Sequence, residues 1–356
     1  MAKILIPSRN RPGSLRSVLG YLAHFYPQSE VIVADGSNEE YRSGYEETIK
    51  SVKDTLSVDH RVYDADFPFF DRILDSLNSV RDEFVIMGAD DDYPVMTTMK
   101  RGEGFLKKNP DYSTAMGSII HFKLERNDAL SVRLGHAKNL ANPIAKTRAM
   151  VFAQFPFSTT YAVTRREHLI ERYQRANDTF LANFFDFAVG LHDCTAGKLK
   201  AFPTVGYFCT RNYKHSYLRA DDQLIYLRRA NEVLRLVDIM KEDLIKYAEL
   251  SEPEADRISV RLIRQRISHL AGRQPHNIPG FSSHPTFKNS NIVQRQYKEF
   301  HGLFVDGHPS RTEHFALIDH IVSELTSDAT GTRDNLGEKA SYETFQEQVS
   351  GRKNSK

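Results

Sequence analysis

The sequence predicts an α/β protein, a mostly parallel sheet flanked by helices with a C-terminal helical extension. Three observations carry this expectation. Strand and helix signals alternate over the first hundred residues. The strands are continuous apolar runs, the pattern of a sheet covered on both faces. From Asp221 to Leu270 the apolar spacing is that of two or three long helices.

The elements follow in order. Lys3–Pro7 (KILIP) is a short apolar strand. SRNRPGS comes next, then Leu15, Val18, Leu19 and Leu22 at helical spacing, with Pro12 suited to a first helical turn. Glu30–Ala34 (EVIVA) is a second strand running into the polar turn Asp35-Gly36-Ser37-Asn38. His60–Tyr63 reads as a weaker third strand. Phe70, Ile73, Leu74, Leu77 and Val80 mark a helix, and Phe84–Gly88 (FVIMG) is a buried strand that ends in Ala89-Asp90-Asp91-Asp92. Tyr112–Phe122 and Val151–Val163 suggest strands or buried turns, Arg165–Gln174 a helix, Thr179–Ala196 another, and Ala201–Thr210 contains a strand. Gly272–Ser310 is rich in Gly, Pro, Ser, Asn and His and reads as loop. Residues 329–356 have few aliphatics and read as a mobile tail. The expected organisation is therefore 1–219 as the α/β unit, 220–271 as a helical extension, 272–328 as a loop-rich segment with a short helix, and the tail.

Composition narrows the function classes. At 356 residues, roughly two domains' worth, the chain can bury a sizeable core. Lys+Arg 48 against Asp+Glu 46 leaves a net charge of +2, which argues against nucleic acid as a partner. Two cysteines, Cys194 and Cys209, exclude a disulfide scaffold and a four-cysteine zinc site. The N-terminus carries no secretory pattern, and the apolar window 180–191 is broken by Asn183 and Asp186 and too short to span a bilayer. A cytoplasmic location is expected, with peripheral contact at the inner membrane face and a homo-oligomer both left open. GxxxxGK[ST], GxGxxG after the first strand and GxSxG are all absent.

In parallel sheets, ligands bind outside the carboxyl ends of the strands. Asp35 and Asp90–Asp92 both directly follow strands and fall on that edge. Three successive carboxylates repel one another, and Mg²⁺ or Mn²⁺ with a substrate diphosphate is their natural partner. In an extended turn Asp90 and Asp92 would point the same way and share one ion; a solvated acidic turn is the plainer reading. Asp35 can accept hydrogen bonds from a nucleobase or ribose, with Gly36 allowing close approach, or lie at the cap of the next helix. Asp186, flanked by Phe184, Phe185 and Phe187, is a candidate proton acceptor; Asn183 and Asp186 also resemble a capping box. His215, near Arg211 and Lys214, could touch a metal or a leaving diphosphate, or be an ordinary loop histidine. Arg257, Arg261, Arg264, Arg266 and Arg273 form a basic stripe that suits anionic lipid or solvent equally. The histidines of the last third, His314 and His320 among them, lack zinc spacing and read as surface and loop residues.

Taken together, KILIPSRNRP, VIVADGSN, FVIMGADDDYP and FFDFAVGLHDCTAGK resemble the ordered signature of GT-A-fold, family 2-like glycosyltransferases over residues 3–217. TTYAVTRREHL at 159–169 looks like a bacterial subgroup of sugar transferases. The resemblance implies a GT-A (Rossmann-like) sheet and a nucleotide-sugar donor, with a UDP-sugar favoured. It implies a donor-binding segment at Pro7, Ser8, Arg9 and Asn10, and a base-binding Asp35. Asp90 to Asp92 would be the DXD motif, with Asp90 and Asp91 on the nucleotide and Asp92, Asp90 and His215 on Mn²⁺ or Mg²⁺. Asp186 would be the catalytic base; the Glu usual before it is Phe185 here. Arg72, Arg148, Arg211 and Lys214 are further candidates for diphosphate contact.

The function that the resemblance implies is metal-dependent, inverting transfer of a sugar to a glycan or lipid-linked acceptor hydroxyl, as in polysaccharide biosynthesis. Two alternatives remain. A sugar-phosphate nucleotidyltransferase would exchange pyrophosphate into nucleotide sugar and usually carries a Gly-rich loop after the first strand. A non-catalytic sugar or lipid-intermediate binding module would show no donor turnover.

Overall fold

The computed structural model of the protein describes residues 2–124, 130–154, 156–176, 182–212, 230–270, 291–303 and 308–330. Its first half is a run of strand–helix units: β1 (Lys3–Ser8), α1 (Pro12–Phe25), β2 (Glu30–Asp35), α2 (Glu39–Val52), β3 (Ser57–Val62), α3 (Phe69–Ser79) and β4 (Phe84–Met87). β1, β2, β3 and β4 pair in parallel in the spatial order β3-β2-β1-β4. The chain leaves β1 on one side to make β2 and β3, then returns to place β4 on the other. That reversal opens a crevice at the carboxyl ends of β1 and β4.

The apolar runs follow from cover on both faces. Ile4 and Ile6 of β1 and Val31 and Val33 of β2 join one core with α1 and α2, whereas Leu5, Ile32 and Ala34 join a second with α3. Successive side chains of a strand point to opposite faces, so a strand buried on both must be apolar throughout. Pro12 opens α1, where its missing N–H costs no helical bond.

Beyond β4 the sheet becomes mixed. β5 (Asp92–Pro94) lies antiparallel to β9 (Lys198–Asn212), and β6 (Tyr112–Leu124) runs parallel to β9. β7 (Leu130–Gly135) and β8 (Val163–Arg165) pair antiparallel with β6, and β8 also joins β4. α4 (Met96–Lys108), α5 (Ala145–Gln154), α6 (Arg166–Ala176) and α7 (Ala182–Ala196) connect these strands. Val151–Gln154, read as strand or turn, belongs to α5. Asn183 lies inside α7 rather than at its cap.

α8 (Ala230–Ala248) and α9 (Glu252–Leu270) match the expected long helices. The loop-rich reading of 272–328 is corrected in its described part. α10 (Asn291–Gly302) and α11 (Pro309–Thr330) are helices, and Leu303 just after α10 joins Leu317, Ile318 and Ile321 of α11 in the same core as β1. Polar residues and histidines hide that apolar spacing in the sequence. One of those histidines, His314, is buried rather than superficial, with its ring 6.0 Å from Phe208. Residues 271–290 and 331–356, and so nearly all of the expected tail, lie outside the described residues. Among the described residues no helix is long and apolar enough to cross a membrane.

Candidate active site

The crevice between β1 and β4 gathers most of the residues singled out above. Ser8 ends β1 directly opposite Asp35, which ends β2. The Ser8 hydroxyl donates to Asp90 Oδ2 at 2.6 Å and lies 2.6 Å from the Tyr45 hydroxyl. Pro7 pairs in register with Ala34, and Arg9 is exposed at the mouth. Asn10 has φ 57, a left-handed conformation that Asn tolerates better than most residues. Its N–H donates to Ser37 Oγ at 2.8 Å, and its side chain accepts from the Asn38 N–H at 2.9 Å. This cross-braced turn sends the chain into α1 with Arg11 at the helix entrance.

The acidic turn is not extended as expected. Asp90 and Asp91, rather than Asp90 and Asp92, share one cationic partner: Arg11 Nη1 lies 2.7 Å from Asp90 Oδ1, and Nη2 lies 2.7 Å from Asp91 Oδ2. Asp92 has entered β5 and turns away, accepting from the Tyr161 hydroxyl at 2.6 Å and from the Thr210 N–H at 2.7 Å. Burial pushes the Asp90 carboxyl up to about 6; Arg11 opposes the shift and Asp91 adds to it. Burial, then repulsion from Asp91, pushes Asp92 up to about 7 against the hydrogen bonds from Tyr161 and Thr210.

Mg²⁺ or Mn²⁺ fits this donor set. Carboxylate oxygens are its preferred ligands and accept more than one partner, and two buried acids held back from ionisation are short of positive charge. Among the described residues no three His, Cys, Asp or Glu side chains group around one point. The protein would therefore supply one or two carboxylates, with phosphate oxygens and water completing the shell. His215 and Lys214 lie outside the described residues, as does the side chain of Arg211.

Asp35 is almost wholly buried, with Oδ1 accepting from the Ser37 N–H at 2.9 Å and Oδ2 3.1 Å from His60 Nε2. Burial works to raise its pKa, but the hydrogen bonds from His60 and Ser37 outweigh it and hold the group below its ordinary value. The helix that follows gets no side-chain cap from this turn. Arg72 crosses the strand ends, donating from Nη1 to Ser8 O at 3.0 Å and Ala34 O at 3.3 Å. Gly36 makes room for it, since a Cβ there would fall inside the guanidinium. The buried Arg72 Nε has no hydrogen-bond partner among the described residues. Arg148 is corrected as a diphosphate contact. It is buried in α5 and donates to Cys194 O, Thr195 O, Asn142 O and Pro143 O, satisfying carbonyls at the end of α7.

Asp186 stands in the second turn of α7, partly buried, and accepts from Thr160 Oγ1 at 3.0 Å. Nothing in the sequence predicted what flanks this contact. Thr159, Thr160 and Tyr161 are consecutive, and their hydroxyls bind Asp193, Asp186 and Asp92 respectively. Asp193 is fully buried on α7 and also meets Arg172 Nη1 at 3.0 Å and His168 Nε2 at 2.9 Å, both from α6. Tyr161 stacks on Tyr207, centroids 4.3 Å apart. One short segment thus ties the candidate base to the acidic turn, and both to a buried ionic anchor. A cleft of about 610 Å³ on the opposite sheet edge is lined by His168 but by none of the aspartates or hydroxyls above, and its Arg165–Glu83 and Glu171–Tyr247 pairs are satisfied internally.

No family model matches the sequence, and no curated protein does either. Among solved structures, the chain is similar to the S. aureus TarS fragment 1–349, with a TM-score of 0.50 and 16% identity over 94% of this chain and 93% of that one. The same fragment in complex with UDP-GlcNAc gives 0.47 and 14%, over 94% and 93%. The mannosyltransferase PcManGT from Pyrobaculum calidifontis, in complex with GDP-Man and Mn²⁺, gives 0.43 and 14%, over 83% and 84%. Identities this low speak to architecture alone. The chain has a GT-A-like glycosyltransferase fold.

Proposed function

We propose that the protein is a metal-dependent, inverting glycosyltransferase that moves a sugar from a nucleoside diphosphate, a UDP-sugar being favoured, to a hydroxyl of a glycan or lipid-linked acceptor. The observation that carries this reading is the constellation at the β1/β4 crevice: Ser8, Asp35 and Asp90 side by side, with Thr160 and Tyr161 joining Asp186 to Asp92. Residues 1–219 would carry the chemistry, with α8–α11 as their extension.

Each group then has a task. Asp35 would receive the nucleobase or ribose, beside an exposed apolar rim of Val62, Phe67 and Phe69. Pro7, Ser8, Arg9 and Arg72 border the donor on the β1 side. Asp91 faces the ribose and diphosphate, and Asp90 and Asp92 would hold Mn²⁺ or Mg²⁺, with His215 as a further ligand. The ion supplies positive charge opposite the departing diphosphate. Asp186 accepts the proton of the acceptor hydroxyl while the oxygen forms its bond to the anomeric carbon. The bond from that carbon to the diphosphate oxygen breaks, its electron pair leaving with the nucleoside diphosphate. Attack opposite the leaving group inverts the anomeric centre. The Thr160 hydroxyl holds Asp186 Oδ1 at 3.0 Å.

Nucleotide sugars tested with Mn²⁺ or Mg²⁺ for binding and slow hydrolysis decide the matter. Asp92→Ala is expected to lose metal-dependent nucleotide binding, and Asp186→Asn to keep binding and lose transfer. Equal loss of binding in both variants would show that the roles are misassigned. A wild-type protein that binds no member of the panel would remove the proposal altogether.

A further inference from the structure

Arg11 has no part in the scheme above, yet its guanidinium joins two carboxylates of the acidic turn. We propose that its guanidinium is a resident cation of that turn, competing with the divalent ion for Asp90, occupying Asp91 meanwhile, and releasing both when a metal-bound diphosphate enters. The inference rests on the reading of the crevice as a metal-dependent donor site.

The geometry supports a built device rather than a chance surface pair. Both terminal nitrogens are used, one on each carboxylate at 2.7 Å, a two-nitrogen fork that suits a planar guanidinium better than a single ammonium nitrogen. The root of the side chain is fixed: the Arg11 N–H donates to the Tyr45 hydroxyl at 3.1 Å, and Arg11 O accepts from the Leu15 N–H at 3.1 Å. The Tyr45 hydroxyl also touches Ser8, which itself holds the second oxygen of Asp90. The left-handed Asn10, pinned by Ser37 and Asn38, sets the direction in which the chain presents Arg11. The arginine side chain nevertheless stays 20% exposed, and that of Asp91 35% exposed, so the bridge lies at the open side of the crevice where an incoming anion can reach it.

Charge explains the exchange. The adjacent Asp90 and Asp91 carboxylates repel one another, and Arg11 offsets that repulsion while no donor is present. A divalent ion arriving with a diphosphate would bring more charge to Asp90. The displaced guanidinium then has the diphosphate as its nearest new acceptor. Arg11 is accordingly a positioning residue for the acidic turn before donor binding, and a diphosphate contact after it.

The test measures Mn²⁺ binding without nucleotide, by the loss of free-ion electron paramagnetic resonance signal, for wild type, Arg11→Gln and Arg11→Lys. UDP is then titrated at saturating Mn²⁺, and circular dichroism checks the fold. Removing the competitor should tighten Mn²⁺ binding by Arg11→Gln about tenfold, the size of one charge-assisted contact, with Arg11→Lys in between. UDP affinity should fall in Arg11→Gln. Wild type and Arg11→Gln binding Mn²⁺ equally well would overturn the proposal. UDP binding with no Mn²⁺ uptake by any of the three proteins also overturns it, while leaving a donor site standing. Absence of both kinds of binding in wild type removes the donor-site reading as well.

Discussion

Replacing Tyr161 by Phe isolates one oxygen atom in the crevice. The ring can stay on Tyr207, 4.3 Å away, so apolar packing is retained. What disappears is the donor 2.6 Å from Asp92 Oδ2, on a carboxylate only 6% exposed. A hydrogen bond to a buried charged group contributes about 1.5–3 kcal/mol, and water has little access to replace it. The Thr210 N–H would remain as a donor to Asp92. Without cation or nucleotide, Tyr161→Phe should therefore lower stability by about 2 kcal/mol, seen as a fall in Tm of about 4 °C. The same change should weaken Mn²⁺-dependent UDP binding about tenfold, because a less solvated Asp92 holds its proton more firmly. Differential scanning calorimetry with and without Mn²⁺ and UDP reads both effects. A variant that melts with wild type and binds UDP equally well would refute the claim that Tyr161 supports Asp92.

Two further expectations follow from the same region. Gly36→Ala should cost about 1–3 kcal/mol in urea denaturation, because the new Cβ must expel the Arg72 guanidinium from the carbonyls of Ser8 and Ala34; unchanged stability would mean that Arg72 does not brace the strand ends. Asp193 should make stability pH-dependent. Burial opposes its ionisation, but Arg172 and His168 win and hold it at about 2, against an ordinary 3.8. A carboxyl depressed on folding stabilises above its unfolded pKa, so about 2 kcal/mol should be present above pH ~4 and lost as pH falls toward ~2. Asp193→Asn should abolish that slope, and identical acid profiles for the two proteins would count against the anchor.

The parts of this fold that could be read from the sequence are those written locally. β1, β2 and β4 are continuous apolar runs, and each is followed by the polar residues that end up on the carboxyl edge. Asp35 and Asp90–Asp92 were visible for that reason. Arg11, Tyr45, His60 and Thr159–Tyr161 were not, because their meaning lies in partners far along the chain. Arg11 meets Asp90 across 79 positions, and Tyr161 meets Asp92 across 69. No periodicity records such a pairing. A cue did exist for Arg11: a cation directly after the first strand must share an edge with the acids that follow the fourth. Asp92 was misjudged in orientation because a three-residue strand, β5, is too short to leave a pattern. Arg148 looked like a phosphate ligand only while the carbonyl ends of α7 were unseen.

The run of three hydroxyl residues before β8 has a consequence for anyone exchanging parts between related proteins. Because neighbours in sequence serve aspartates from β5 and two positions on α7, neither the acidic loop nor α7 is a self-sufficient module. A chimera that imports one of them without residues 159–161 would inherit the carboxylates but lose the ruler that spaces them. Grafts meant to retune specificity should carry that tripeptide along.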